Sequence, residues 1–175
     1  MLSDMGAEVL RVDRAQSVRG GDPSQPPADP LARGRRSVGL DLKHPDGLAA
    51  LLRLVEGADG LIEGFRPGVM DKLGVGYAAL KAINPRLIYV SITGYGQSGP
   101  YRDRAGHDIN YLALAGIASY TGRRDSGPLP LGVQLADLAG GSLHGVIVLL
   151  AAVVQRQVTG QGQQVDVSMT DCAFS

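Results

Sequence analysis

The chain has 175 residues, 44% of them hydrophobic but only 5% aromatic, with 25 glycines, and its 17 basic groups balance 17 acidic ones. That length supports one domain with a core of its own. The glycine-rich, aromatic-poor mixture suits close helix-on-sheet packing rather than an all-β sandwich, and a formal charge of zero gives no ground for a nucleic-acid or membrane partner.

MLSDMG reads as the end of a helix stopped by Gly6, and AEVLRVD (7–13) predicts a strand. Residues 19–36, rich in proline, glycine and arginine, predict a long excursion, and SVGLDL (37–42) a second strand. HPDGLAALLRLVEGAD opens with the Pro-Asp of a helix start and carries leucines at 48, 51, 52 and 54. GLIEGF predicts a short buried strand, RPGVMDKLG a turn with one helical turn, and GYAALKAI a helix. NPRLIYVSITGYGQSGP predicts a strand running into a glycine-rich loop. A helix over 108–120 follows, then the loop GRRDSGPLP, then the longest helix over 137–157. TGQGQQ is a turn and QVDVSM a last strand, after which another apolar-periodic segment begins. Both ends read as cuts through a longer protein. Strands alternating with helices predict a Rossmann-like α/β fold, a mostly parallel sheet flanked by helices.

The single cysteine, Cys172, rules out an internal disulfide framework and a cysteine-based zinc site, and it reads as a bystander; no metal is expected. The opening residues do not read as a charged-then-apolar leader. The longest apolar run, Val146 to Val154, falls short of the roughly 20 residues that a membrane span needs, so it reads as a buried helix. A reducing, cytoplasmic compartment is expected.

In open parallel sheets, ligands bind beyond the carboxyl ends of the strands. Arg14 follows the first strand, Lys43 and His44 the second, Arg66 the third, and GYGQSGPYRDRAGHD the fourth. Basic groups along one edge together point to an anionic ligand with several phosphates, although any one of them taken singly reads more readily as a solvated loop charge. GYGQSGP lacks the lysine-serine tail of a P-loop and does not match the dinucleotide fingerprint. It reads as a loop whose backbone can approach a ligand.

The stretch GHDINYLALAG opens a helix with two titratable side chains. Capping accounts for Asp108, because the positive end of the helix dipole favours a carboxylate. It does not account for His107, since a cation is disfavoured there; a neutral imidazole suited to be a general base is expected. Asp137, in QLADLAGG, reads either as an N-cap or as a carboxylate among unsatisfied helix-start amides. In the second reading those amides could hold a developing negative charge, and Gly140 and Gly141 would give a ligand room. His144 reads as a satisfied core histidine, and Glu63 and Asp166 as structural carboxylates.

Nearly the whole chain resembles the class III CoA-transferase superfamily, carried by MLSDMGAEVLRVDR, RRSVGLDLKHPDG, ADGLIEGFRPGVMDKLG, NPRLIYVSITGYGQSGPYRDRAGHDINYLALAG and TGQGQQVDVSMTD. GHDINYLALAG resembles the α-methylacyl-CoA racemase branch, since transferases typically show a GYD-like sequence there. The resemblance implies that residues 1–175 are a partial CoA-binding α/β domain, the large-domain part of an intertwined homodimer. It implies a first strand before MLSDMGAE and, beyond the chain, a second half with a glutamate paired to the histidine; alone, this chain is expected to be inactive.

His107 and Asp137 would flank the α-carbon of a 2-methylacyl-CoA thioester as acid and base. Arg14, Lys43 and Lys72, with Arg66, would hold the CoA phosphates and adenine. Asp108 and Tyr111 would be orienting groups. CoA would enter as part of the substrate, with no separate cofactor. Two other readings stand beside this one. In a CoA-transferase, Asp137 would be a nucleophile forming a mixed anhydride; in a non-catalytic remnant, the chain would only bind CoA or dimerise.

Overall fold

The computed structural model describes residues 1–17 and 30–175; positions 18–29, which include most of the predicted excursion, lie outside the described residues. The chain divides into two compact units, Met1–Leu54 and Val55–Ser175.

In the first unit, a 3-10 turn (Ser3–Met5) closes on Gly6, whose φ of 93° suits a residue without a Cβ. Strand β1 (Val9–Arg14) pairs in parallel with β2 (Arg35–Leu40), Arg14 lying opposite Leu40. β2 starts at Arg35 rather than Ser37, because pairing with Val9 draws the arginine pair into the ladder. Arg14 and the turn carrying Lys43 and His44 therefore leave the pair at the same carboxyl edge. Helix α1 (Pro45–Glu56) begins at the Pro-Asp signal.

The second unit holds a parallel sheet in the order β3 (Gly60–Glu63), β4 (Ile88–Thr93), β5 (Gln164–Ser168). β4 is buried along almost its whole length, as a central parallel strand should be. Helices α2 (Val69–Lys72) and α3 (Tyr77–Ile83) carry the chain from β3 to β4. Ile88, Val90 and Val167 form a core with Ala152 of α5 (His144–Thr159), joined by Val148, Leu149 and Val153. A second cluster joins Tyr111 and Leu112 of α4 (Asp108–Leu114) to Ala136, with Tyr95 and with Met169 and Ala173 of α6 (Met169–Phe174).

Two predicted helices differ from the reading of the sequence. The one over 108–120 stops at Leu114; Gly116, at φ 80°, turns the chain into a separate 3-10 turn, Ile117–Tyr120. The longest begins as a π-helical segment, Ala136–Leu143, before continuing as α5. Together Ala136–Thr159 make 24 residues of mean hydropathy 1.8, long and apolar enough by length and composition to cross a membrane. Only one face of it is buried. Val148, Leu149, Ala152 and Val153 pack on the sheet, whereas Ile147, Leu150, Val154 and Val158 are exposed, so the expected buried helix is buried on its sheet side alone.

The amino edge of the three-stranded sheet is locked by two buried polar side chains. Arg156 donates to the carbonyls of Asp59 (3.2 Å) and Arg86 (3.0 Å) and to Asp59 Oδ1 (2.6 Å). Asn84 Nδ2 donates to the carbonyls of Val55 (3.0 Å) and Ala58 (2.9 Å), and its Oδ1 accepts the Arg86 amide at 3.0 Å. Cys172 is a free thiol packed against the sheet core, and burial pushes its pKa up.

Candidate active site

The carboxyl edge of the same sheet is built differently. From Thr93 the chain enters GYGQSGP, whose first residue is fixed from outside the loop: Thr170 donates both its hydroxyl (2.7 Å) and its amide (3.1 Å) to the Gly94 carbonyl. Asp166 Oδ2 accepts the Gln97 amide at 2.8 Å, so this carboxylate is structural, as its position in the strand predicts. Glu63 is likewise structural, its Oε2 accepting the Phe65 amide at 2.8 Å.

Two glycines here, Gly94 and Gly106, make room for protein rings. A Cβ on Gly94 would strike the Tyr111 ring, and one on Gly106 would lie 2.5 Å from Tyr95 Oη. Tyr111 is 6% exposed, packs edge-on against Tyr95 with ring centroids 5.1 Å apart, and donates its hydroxyl to the Gly106 carbonyl at 2.6 Å. Tyr95, which sequence reasoning missed, is signalled only by the glycines around it. Burial, followed by Tyr95, Asp137 and Asp108, raises the Tyr111 phenol above its ordinary pKa. Tyr111 thus pins the peptide just before His107.

His107 occupies the N-cap position of α4 in extended backbone, with its amide donated to Asn110 Oδ1 at 2.9 Å; the imidazole side chain is exposed. Asp108 is therefore the first helical residue, and its carboxylate does not cap its own helix. Its Oδ1 accepts the backbone amide of Asp137 at 3.0 Å, across from another element.

Asp137 sits in the first turn of the π-helical segment, half-buried, and among the described residues no hydrogen bond engages its carboxylate. Burial pushes its carboxyl above the ordinary value, the Asp108 carboxylate adds to that, and the His107 imidazole works against it. The structure thereby brings together His107, Asp108, Tyr111 and Asp137, separated in sequence by the whole of α4 and the loop after it.

Two expectations about this turn are corrected. The amides flanking Asp137 are occupied: its own by Asp108, and that of Leu138 by the Gln134 carbonyl at 3.0 Å. Neither is free to hold a developing negative charge. Nor do Gly140 and Gly141 make room for a ligand. A Cβ on Gly140 would lie 2.8 Å from the Met169 carbonyl, and one on Gly141 3.0 Å from Met169 Cγ, so these glycines let the π segment pack tightly on α6. His144 is satisfied, its Nδ1 lying 2.7 Å from the Ala139 carbonyl.

The basic residues are placed separately. Arg14 ends β1, and Lys43 follows β2 with its amide on Asp41 Oδ1 at 3.0 Å, both in the first unit. In the second unit, Arg66 follows β3 and Lys72 ends α2. All four are exposed, and among the described residues none of them is held in an ion pair. Also among the described residues, no cluster of three or more histidine, cysteine or carboxylate ligands is arranged to hold a metal. A cleft of about 390 Å³ opens beside the site, between Tyr95, Tyr101, Leu114, Thr170 and Asp171.

Parallel α/β architecture thus sets an exposed imidazole and a half-buried carboxyl group at the carboxyl edge of the sheet. The chain belongs to CoA-transferase family III, whose profile matches residues 1–175. It is 48% identical over 172 residues to human alpha-methylacyl-CoA racemase, covering 98% of this chain and 43% of that protein. It is 38% identical over 188 residues to succinate–glutarate CoA-transferase of Agrobacterium fabrum, covering 98% of this chain and 46% of that protein. A solved CaiB/BaiF family protein from Brucella suis superposes with a TM-score of 0.86 at 38% identity, over 99% of this chain and 48% of that one. The chain spans less than half the length of these relatives, and both racemases and CoA-transferases stand among them.

Proposed function

We propose that the protein carrying this chain is a racemase that interconverts the (R) and (S) forms of a 2-methylacyl-CoA thioester. The observation that supports it most is the hydrogen bond from the Asp137 amide to Asp108, the chain neighbour of His107, which brings Asp137 to the same end of α4 as the imidazole. One of the two takes the α-proton from one face of the thioester, leaving a planar enolate. The other returns a proton to the opposite face, so the proton count balances and only the configuration changes. Positioned acid–base groups contribute roughly 10²–10⁴-fold to such a step.

The raised Asp137 pKa leans the same way, because burial and the Asp108 carboxylate favour the protonated form that delivers a proton. The greater identity to the human racemase than to the Agrobacterium transferase supports the same reading. We assign Arg14, Lys43, Arg66 and Lys72 to the phosphates and adenine of CoA, on their exposure and, among the described residues, their freedom from ion pairs. CoA then belongs to the substrate and not to the resident protein.

The second reading, a CoA-transferase, is favoured by the uncommitted Asp137 carboxylate, which an acyl group could meet as a mixed anhydride. It gives His107 nothing to do. The test is to incubate the full-length protein with one enantiomer of 2-methylacyl-CoA in D₂O. Deuterium appearing at carbon 2 together with the opposite epimer is expected. Acyl transfer to an added free acid without exchange would turn the assignment to the transferase.

A further inference from the structure

We propose that Asp108 is the positioning residue for Asp137: its carboxylate receives the Asp137 amide and fixes the turn from which that side chain meets His107. The inference rests on the racemase reading and gives Asp108 a role toward another residue of the chain, not toward the substrate.

The hydrogen bond from the Asp137 amide to Asp108 Oδ1, at 3.0 Å, joins two elements rather than closing a local turn. The receiving segment opens with the Leu138 amide on the Gln134 carbonyl, so the Asp137 amide is one of the first-turn donors that have no partner within the helix. Asp137 itself contributes no cap there, so the acceptor is brought in from α4. Asp108 is also the chain neighbour of His107. A single dipeptide therefore carries one proton-transfer group and the tether of the other, and their separation is set by a short covalent path plus one charge-assisted hydrogen bond. Reacting groups must be held to within an ångström or so for an acid–base step, and a displacement of that size can cost about 10²-fold.

The charge of Asp108 acts in the same place. The elements packed against the π segment bring His107, Asp108 and Tyr111 from α4, Asp171 and Cys172 from α6, and His144 from α5. From β5 comes Asp166, already engaged with the Gln97 amide. Of these, Asp108 raises the Asp137 carboxyl, after burial, and His107 lowers it.

Two variants of the full-length protein separate geometry from charge. Asp108→Asn keeps an oxygen acceptor for the amide and removes the charge, whereas Asp108→Ala removes both. Asp108→Asn is expected to move to lower pH the limb of the pH–rate profile that reports Asp137. That is the acid limb where Asp137 is the base and the alkaline limb where it is the acid. KM for the acyl-CoA should stay within about twofold, and Asp108→Ala should lower kcat by about 10²-fold. An unmoved limb in Asp108→Asn, or a raised KM with kcat intact, overturns the proposal. Carboxyl ¹³C NMR, with the Asp137 signal identified by its loss in Asp137→Asn, reads the same displacement without turnover. A displaced titration in a protein that shows no α-proton exchange sinks the racemase reading and leaves the positioning role standing. An undisplaced titration with exchange intact does the reverse.

Discussion

The two ends of the β3-β4-β5 sheet are made from similar residue types put to opposite uses. At the amino end, Arg156 and Asn84 spend their donors on carbonyls of neighbouring segments, and the Asn84 carbonyl is itself taken by an amide. At the carboxyl end, among the described residues, no hydrogen bond engages the Asp137 carboxylate, and Thr93 Oγ1 and Gln97 Nε2 are buried without hydrogen-bond partners. Unmet polar groups in a low-dielectric setting are costly to fold, and they are what chemistry requires. The contrast teaches that, among the described residues, the unmet buried polar atoms lie at the carboxyl edge, beside satisfied groups such as Thr170 and Asp166, whereas Arg156 and Asn84 at the amino edge are engaged.

His107→Ala strikes the chemical end alone and should have the largest effect. Loss of about 10²–10⁴-fold in α-proton exchange from one enantiomer is expected, with CoA affinity and the urea midpoint unchanged. Equal loss of CoA binding, measured by calorimetry, would remove His107 from the role of base. Arg156→Met strikes the other end. Leaving the Asp59 and Arg86 carbonyls without their charged donor should cost about 2–3 kcal/mol, seen as a lower urea midpoint at constant m. Its exchange rate at a permissive temperature should stay within about twofold of wild type; a rate defect as large as that of His107→Ala would erase the division between the two ends.

Gly94→Ala tests a link between packing and site. The new methyl group would strike the Tyr111 ring, costing about 1–3 kcal/mol and displacing the peptide before His107, so stability and exchange should fall together. A stability loss with wild-type exchange would show that Tyr111 does not hold His107 in place.

The smallest effect concerns Asp137 itself. Its folded carboxyl, raised above 3.8, keeps a proton over a pH window in which the unfolded chain has lost it, so stability falls as pH rises through that window. Asp137→Asn should therefore unfold at a higher urea concentration than wild type at neutral pH, and the difference should vanish below pH 3.8. A variant less stable than wild type at neutral pH would mean that the carboxylate is a net structural contact.

The sequence by itself determined the order and kind of most elements, and it singled out His107 and Asp137. Strands such as IYVSIT and helices such as PDGLAALLRLVE announce themselves through local periodicity and start signals, which need no knowledge of distant partners. The roles of the glycines, the π-helical start of the longest helix and the tie between Asp108 and Asp137 were decided only by the tertiary structure. An i→i+5 turn leaves no mark in a hydrophobic pattern read at the α-helical period, and a glycine looks the same whether it faces a ligand, a tyrosine ring or a methionine. Asp108 reads locally as the cap of its own helix. It caps another because folding brings the start of the π segment against α4, and a carboxylate bonds to whichever unpaired amide comes within reach.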